Sequence, residues 1–171
     1  MKHVLLLVVY FLCVLFGFSQ NETSINFEIK NAGIRVDGLF ESTSVKIQFD
    51  ASGHVTQIEG IIKVASIKTG IHIRDTHLLK ADYFDAEHFK NITLISKSIT
   101  FQPDSTYQVT AILTIKGIAK KVNMLIKQVK IDNSYKLTSS FNINRKDFNV
   151  GGGNFFMSNT VQIYVVHIHK L

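Results

Sequence analysis

The chain lacks tryptophan, and its 171 residues include one proline, Pro103, and one cysteine, Cys13. A lone cysteine excludes an internal disulfide, so stability must come from a packed core. With so little proline, almost every backbone N–H is free to join a hydrogen-bonded ladder, and no proline-rich linker divides the chain. Long charge runs are also missing. The net charge is +6, but apart from Lys120–Lys121 and the spaced Lys127 and Lys130 the basic residues are scattered. That pattern excludes a nucleic-acid-binding arm and leaves a solvated surface with a weak attraction to anionic lipid head groups. There is no nucleophile elbow and no phosphate loop.

The most apolar stretch is Val4 to Phe18, behind the basic start Met1-Lys2-His3. It falls short of the roughly 20 apolar residues that span a bilayer. With Gly17 near its end and Ser19 and Gln20 after it, it reads as a secretory signal over residues 1–19, cleaved near Ser19 or Gln20. An uncleaved anchor is the alternative. The expectation is an exported protein, periplasmic or secreted, with one domain over residues 20–171. Cys13 lies inside the signal, and Leu12 before it is not the small residue that lipidation wants. Asn21-Glu-Thr and Asn91-Ile-Thr match glycosylation sequons, read here as coincidence.

What is present is strand sequence. Phe, Ile, Val and Thr fill the segments between turns, in period-two alternation. Ile25, Phe27 and Ile29 share one face; Val45, Ile47 and Phe49 share another. Tyr107, Val109, Ala111, Leu113 and Ile115 alternate with more polar neighbours, as do Val122, Met124 and Ile126, and then Phe141 and Ile143. Turn signals fall between them at Ala51-Ser-Gly53, Pro103-Asp-Ser105, Lys116-Gly117 and Asp132-Asn-Ser134. This spacing predicts antiparallel hairpins, about eight strands in all. Such strands, each with one apolar face, either pair two sheets or close into a barrel, and the pattern alone does not choose. Only the connection after Gly70 reads as helical, with Asp75 or Thr76 capping a short helix through Lys80 and Asp85 capping a turn through Phe89.

Several ordered motifs carry a family resemblance. They are Ile25-x-Phe27-x-Ile29 with Gly38-x-Phe40, Ser66-Ile-Lys-Thr-Gly70, Arg74-Asp75-x-His77-Leu78, and Tyr83-Phe84-Asp85. Further on come Ile92-Thr-Leu94-x-Ser96, Leu113-Thr-Ile115-Lys-Gly117, and Phe141-x-Ile143-Asn144-Arg145-Lys-Asp147-Phe148. Together they resemble the YceI-like family across nearly the whole chain after residue 20. The resemblance implies an all-β fold, a lipocalin-like antiparallel eight-stranded β-barrel with a short helical connection. It also implies an elongated apolar cavity for an isoprenoid-like or other long-chain amphiphilic lipid, bound without catalysis. Asn31-Ala32, Lys90-Asn91 and Ala119-Lys120 depart from the family's usual residues at their positions.

The lining candidates for such a cavity are Phe27, Ile29, Phe40, Phe49, Leu94, Leu113, Ile115 and Phe141. Inward alternation is the same for a hollow barrel and a filled one, so a filled structural module stays open. Arg74, Asp75 and His77 permit a second alternative, a hydrolase-like enzyme acting on a small lipid. Their other reading is a polar network or head-group contact, in which Arg74 satisfies backbone carbonyls or pairs with Asp85 or Asp147, and Arg145 joins. His167-x-His169 offers one close pair, fewer ligands than a metal site needs, so no metal and no cofactor is expected. Gly151-Gly-Gly153 could flex as a portal lid or be a mobile loop. The expected partner is an amphiphilic lipid and no nucleic acid; transient membrane contact and a homodimer are open.

Overall fold

The computed structural model describes residues 22–171, and the segment read as an export signal lies outside them. The alternating segments form ten antiparallel strands: β1 (Glu22–Asn31), β2 (Ile34–Phe40), β3 (Thr43–Phe49), β4 (Val55–Lys63), β5 (Ile67–Lys68), β6 (Asn91–Gln102), β7 (Thr106–Ile115), β8 (Ile118–Ile131), β9 (Ser134–Asn144) and β10 (Met157–Lys170). One helix, α1 (His72–Leu78), lies in the connection between β5 and β6. The strands hydrogen bond in the order β3-β4-β6-β7-β8-β9-β10-β1-β2-β5, and β3 comes back into contact with β1. The result is a curled, barrel-like antiparallel sheet. The count exceeds eight because a two-residue turn at Ala32-Gly33 splits off β2, and β5 is only two residues that pair with Leu39 and Phe40.

β7 shows why the chain folds this way. Its five alternate residues, Tyr107 to Ile115, are all buried, with exposures from 0 to 7%. The Val109, Leu113 and Ile115 side chains each contribute about 1.5–3 kcal/mol on leaving water. The predicted turns fall at the hairpins, and Lys116 and Gly117 both take positive φ, as a two-residue hairpin loop requires. Gly38 is needed for another reason. Phe27 pairs directly with it, and a Cβ there would lie 2.2 Å from the Phe27 ring. The absent side chain lets that ring lie across β2.

Two buried clusters sit towards opposite ends. One, including Val64, Ile67, Ile115 and Phe148, packs beneath the long connection with Leu78, Tyr83 and Phe84. The other, including Val55, Tyr107, Met124 and Leu137, packs near the hairpin turns with Phe49 and Tyr135.

The helix differs from expectation. It begins at His72 with Ile71 as N-cap, and no side chain caps it. Asp75 sits in its first turn and its carboxylate reaches back to Thr69 instead. After Asp85 there is only a turn, in which the Asp85 carbonyl accepts from His88 and Phe89 N–H.

Candidate functional site

An apolar cavity runs between the two clusters. The space open to the centre of a water-sized sphere is about 230 Å³. The room is many times what one water needs, yet the walls are almost wholly apolar. Water gains little there and a hydrocarbon chain gains much.

Seven of the eight lining candidates border this space: Phe27, Ile29, Phe40, Leu94, Leu113, Ile115 and Phe141. Phe49 does not. It follows Val45 and Ile47, which do border the cavity, but a register shift after Gln48 carries it to the strand's end. There its ring packs 5.4 Å from Tyr135 and 4.7 Å from His169, centroid to centroid. Phe49 therefore plugs the hairpin end. β10 supplies wall residues that alternation elsewhere obscured: Val161, Ile163, Val165 and His167. Their spacing was visible, but Tyr164, Val166 and Ile168 make the other face apolar too.

The polar candidates separate into independent groups. The Asp75 carboxylate accepts from Thr69 N–H at 2.8 Å and from the Thr69 hydroxyl at 2.5 Å. Arg74 donates from Nε to Thr69 Oγ1 at 2.7 Å and from Nη2 to the Thr69 carbonyl at 2.6 Å. Thr69 thus links acid and base across the start of the helix. His77 is elsewhere, edge-on to Tyr83 with centroids 5.0 Å apart. Asp85 pairs with His88 at 2.8 Å and holds that exposed imidazole above its usual pKa through this hydrogen bond. Arg74, Asp75 and His77 therefore do not converge as a catalytic set, and Arg74 pairs with neither Asp85 nor Asp147.

Arg145 forms a network of its own. Only 3% exposed, it donates to the carbonyls of Ser158 (2.8 Å), Val150 (2.8 Å), Asn154 (2.9 Å), Met157 (3.1 Å) and Gly151. No carboxylate is among these partners, and burial pushes its pKa down from the usual arginine value. The carbonyls of Val150, Gly151 and Asn154 belong to the irregular segment between β9 and β10, whose backbone groups lack a ladder partner, and those of Met157 and Ser158 open β10. Gly151 is part of this anchor. Its N–H donates to the Asp82 carbonyl at 2.8 Å, and a Cβ there would sit 2.9 Å from the Tyr83 ring. At this residue the glycine run is a packed joint rather than a free lid. Lys116 adds a tie by donating to the carbonyls of Ala81 and Asn149.

At the hairpin end, His167 borders the cavity and is 2% exposed. Its Nδ1 lies 2.8 Å from Thr23 Oγ1, while Nε2 is buried with no partner, as is Nδ1 of His169. Burial, and then His169, push the His167 pKa below the usual histidine value. Among the described residues no three His, Cys, Asp or Glu side chains gather as a metal site would need.

The family model of the YceI-like domain matches residues 16–167 of the sequence. The chain belongs to the YceI-like family. A UPF0312 protein of Staphylococcus aureus strain MRSA252 is 33% identical to this YceI-like chain over 108 residues, which are 62% of the chain and 60% of that relative's length. Among solved structures, Burkholderia cenocepacia BcnA is similar at a TM-score of 0.81 and 24% identity, covering 86% of this chain and 96% of that one. The Campylobacter jejuni YCEI protein gives 0.75 at 22% identity, covering 80% and 85%. A polyisoprenoid binding domain from Saccharophagus degradans, implicated in plant cell wall breakdown, gives 0.66 at 15%, covering 87% and 94%. At these identities the likeness establishes a shared fold.

Proposed function

We propose that this YceI-like protein is an exported, non-enzymatic binder of an isoprenoid-like or other long-chain amphiphilic lipid, which it stores or carries with the tail in the barrel. The observation that carries this reading is the apolar cavity, which the side chains around it leave unfilled. The fold it shares with a polyisoprenoid binding domain supports the same class of ligand. Export rests on the signal-like residues 1–19, and places the protein in the periplasm or outside the cell.

Magnitudes favour the tail over the head. Each buried methylene is worth about 0.8 kcal/mol, so ten give about 8 kcal/mol. Association costs about 4–15 kcal/mol, so a short tail barely holds and a long one holds well. One neutral hydrogen bond adds about 1 kcal/mol and cannot replace it. Arg74 borders the cavity but already donates to Thr69, so a head group there would share a satisfied cation. The separation of Asp75 from His77 speaks against a hydrolase using those residues, and the unfilled space speaks against a filled structural module.

Organic extraction of gently purified protein, followed by mass spectrometry, tests the reading. A long-chain lipid in near-stoichiometric amount is expected. Recovery of none, together with no uptake of isoprenoids offered afterwards, sinks the proposal. Leu94→Trp, which pushes a ring into the cavity from a half-buried position, should lower the lipid load while the protein stays folded.

A further inference from the structure

After Gly153 the chain presents two adjacent phenylalanines to solvent: Phe155 is 95% exposed and Phe156 77%. The same fold buries Phe148 to 1% a few residues earlier, so aromatic side chains can be hidden in this region. The exposed pair is also held in place. Asn154 Oδ1 accepts from the N–H of Phe156 at 3.1 Å and of Met157 at 3.2 Å. Arg145 grips the carbonyls of Gly151, Asn154 and Met157 from below. The Phe156 carbonyl accepts from Ala32 N–H at 2.8 Å, which ties this tip to the β1–β2 turn, where Ile34 is 70% exposed. Lys30 and Lys146 share a shallow cleft with both phenylalanines, and no acidic side chain borders it.

We propose that Phe155, Phe156 and Ile34, flanked by Lys30 and Lys146, dock the barrel reversibly on an anionic membrane surface. Phenylalanine rings bury at the boundary between head groups and acyl chains, and lysines beside them gain from anionic phosphates. The cation-only border selects such a bilayer over a neutral one. A patch of three apolar side chains and two cations suits contact that forms and breaks, since stable anchoring takes more. Met157 borders both this cleft and the lipid-sized cavity, so docking brings the cavity wall to the membrane. That last link rests on the proposed lipid-binding function, whereas the docking itself does not.

The test is sedimentation of the mature protein with phosphatidylcholine vesicles, with and without phosphatidylglycerol, and with extracted lipid load measured in parallel. Binding should appear with phosphatidylglycerol and weaken as salt rises. The double variant Phe155→Ser/Phe156→Ser should partition less by on the order of tenfold or more. Lys30→Glu/Lys146→Glu should remove the preference for phosphatidylglycerol. Both pairs are on the surface, so circular dichroism should be unchanged, and so should lipid load. No vesicle binding by the native protein, or equal binding by the phenylalanine variant, overturns the proposal. A concentration-dependent dimer lost in that variant, without vesicle binding, assigns the patch to a second copy of the chain. If docking holds while no lipid is ever extracted, the cavity reading fails and the docking stands.

Discussion

The two ends of the barrel are closed by different physics. At one end the irregular segments 69–90 and 149–156 meet, and side chains bonded to backbone hold them: Arg145 on five carbonyls, Asp75 on Thr69, Lys116 on Ala81 and Asn149. At the other end regular hairpins arrive, and rings fill the gap. Phe49 packs on Tyr135 and His169, and the Tyr107 hydroxyl donates to Gln128, whose amide reaches the Gly53 carbonyl. Hairpins satisfy most of their own backbone through strand pairing, so the end they form relies mainly on packing, with single ties such as Gln128 to Gly53. An irregular connection has orphan carbonyls and N–H groups that must find partners. The connection end should therefore fail through single polar residues, and the hairpin end by degrees.

The sharpest way to break this contrast is Arg145→Met. It removes the Arg145 donors from five carbonyls in and around the β9–β10 connection, of which that of Gly151 keeps the Asn154 N–H, and each buried group left unpaired costs about 1–3 kcal/mol. Allowing for relaxation, a loss of at least about 3 kcal/mol is expected in urea unfolding. Arg145→Lys should recover little, because an ammonium has three donors and no planar fork. Hydrogen exchange should quicken first in residues 150–158 while β7 stays protected. A cost under about 1 kcal/mol would mean that the hub is redundant and the ends are alike.

Asp75→Asn probes the second tie with a smaller effect. The amide keeps one oxygen for Thr69 but loses the charge that strengthens both bonds, and hydrogen bonds to charged groups run about 1.5–3 kcal/mol. We expect a loss of about 1–2 kcal/mol, and a non-additive result when it is combined with Thr69→Val. A catalytic Asp75 would behave otherwise, with stability nearly unchanged and a turnover abolished.

These contrasts explain what could be read from sequence. The strand faces were legible, because period two reports which side of a sheet a residue occupies. Height along the barrel was not, so Phe49 was assigned the right face but the wrong neighbours, beyond a bulge that no residue type announces. Opposite charges are easy to pair on paper, which offered Asp85 or Asp147 to Arg74 beside the backbone carbonyls; the carbonyl reading holds, at Thr69. The partners of Arg145 turned out to be a set of carbonyls, and backbone groups carry no residue identity. Capping preference suggested Asp75 as a helix start, yet the same carboxylate is better used reaching back to a threonine that must also be satisfied. β10 stayed hidden because both its faces are apolar.

The smallest effect distinguishes the ends by the sign of their pH dependence. His167 is buried near the hairpin end against Thr23 and His169, with Nε2 unpaired, and its pKa is lowered by burial. In the unfolded chain that histidine titrates near 6.5. Below this value the unfolded state binds a proton that the folded state resists, so stability is full above about pH 6.5 and declines as pH falls towards the lowered folded value. His88, at the connection end, has its pKa raised by Asp85. Its contribution is full below about pH 6.5 and is lost as pH rises through the raised value, but the pair is exposed and screened, so it is weak. Asp50 and Asp104 have lowered values and act only below about pH 4, outside this window. Thermal melts between pH 5 and pH 8 should therefore show Tm falling on the acid side. His167→Gln should flatten that fall, and His88→Gln should leave it intact or slightly steeper. An acid slope that survives His167→Gln would place its origin away from the hairpin end.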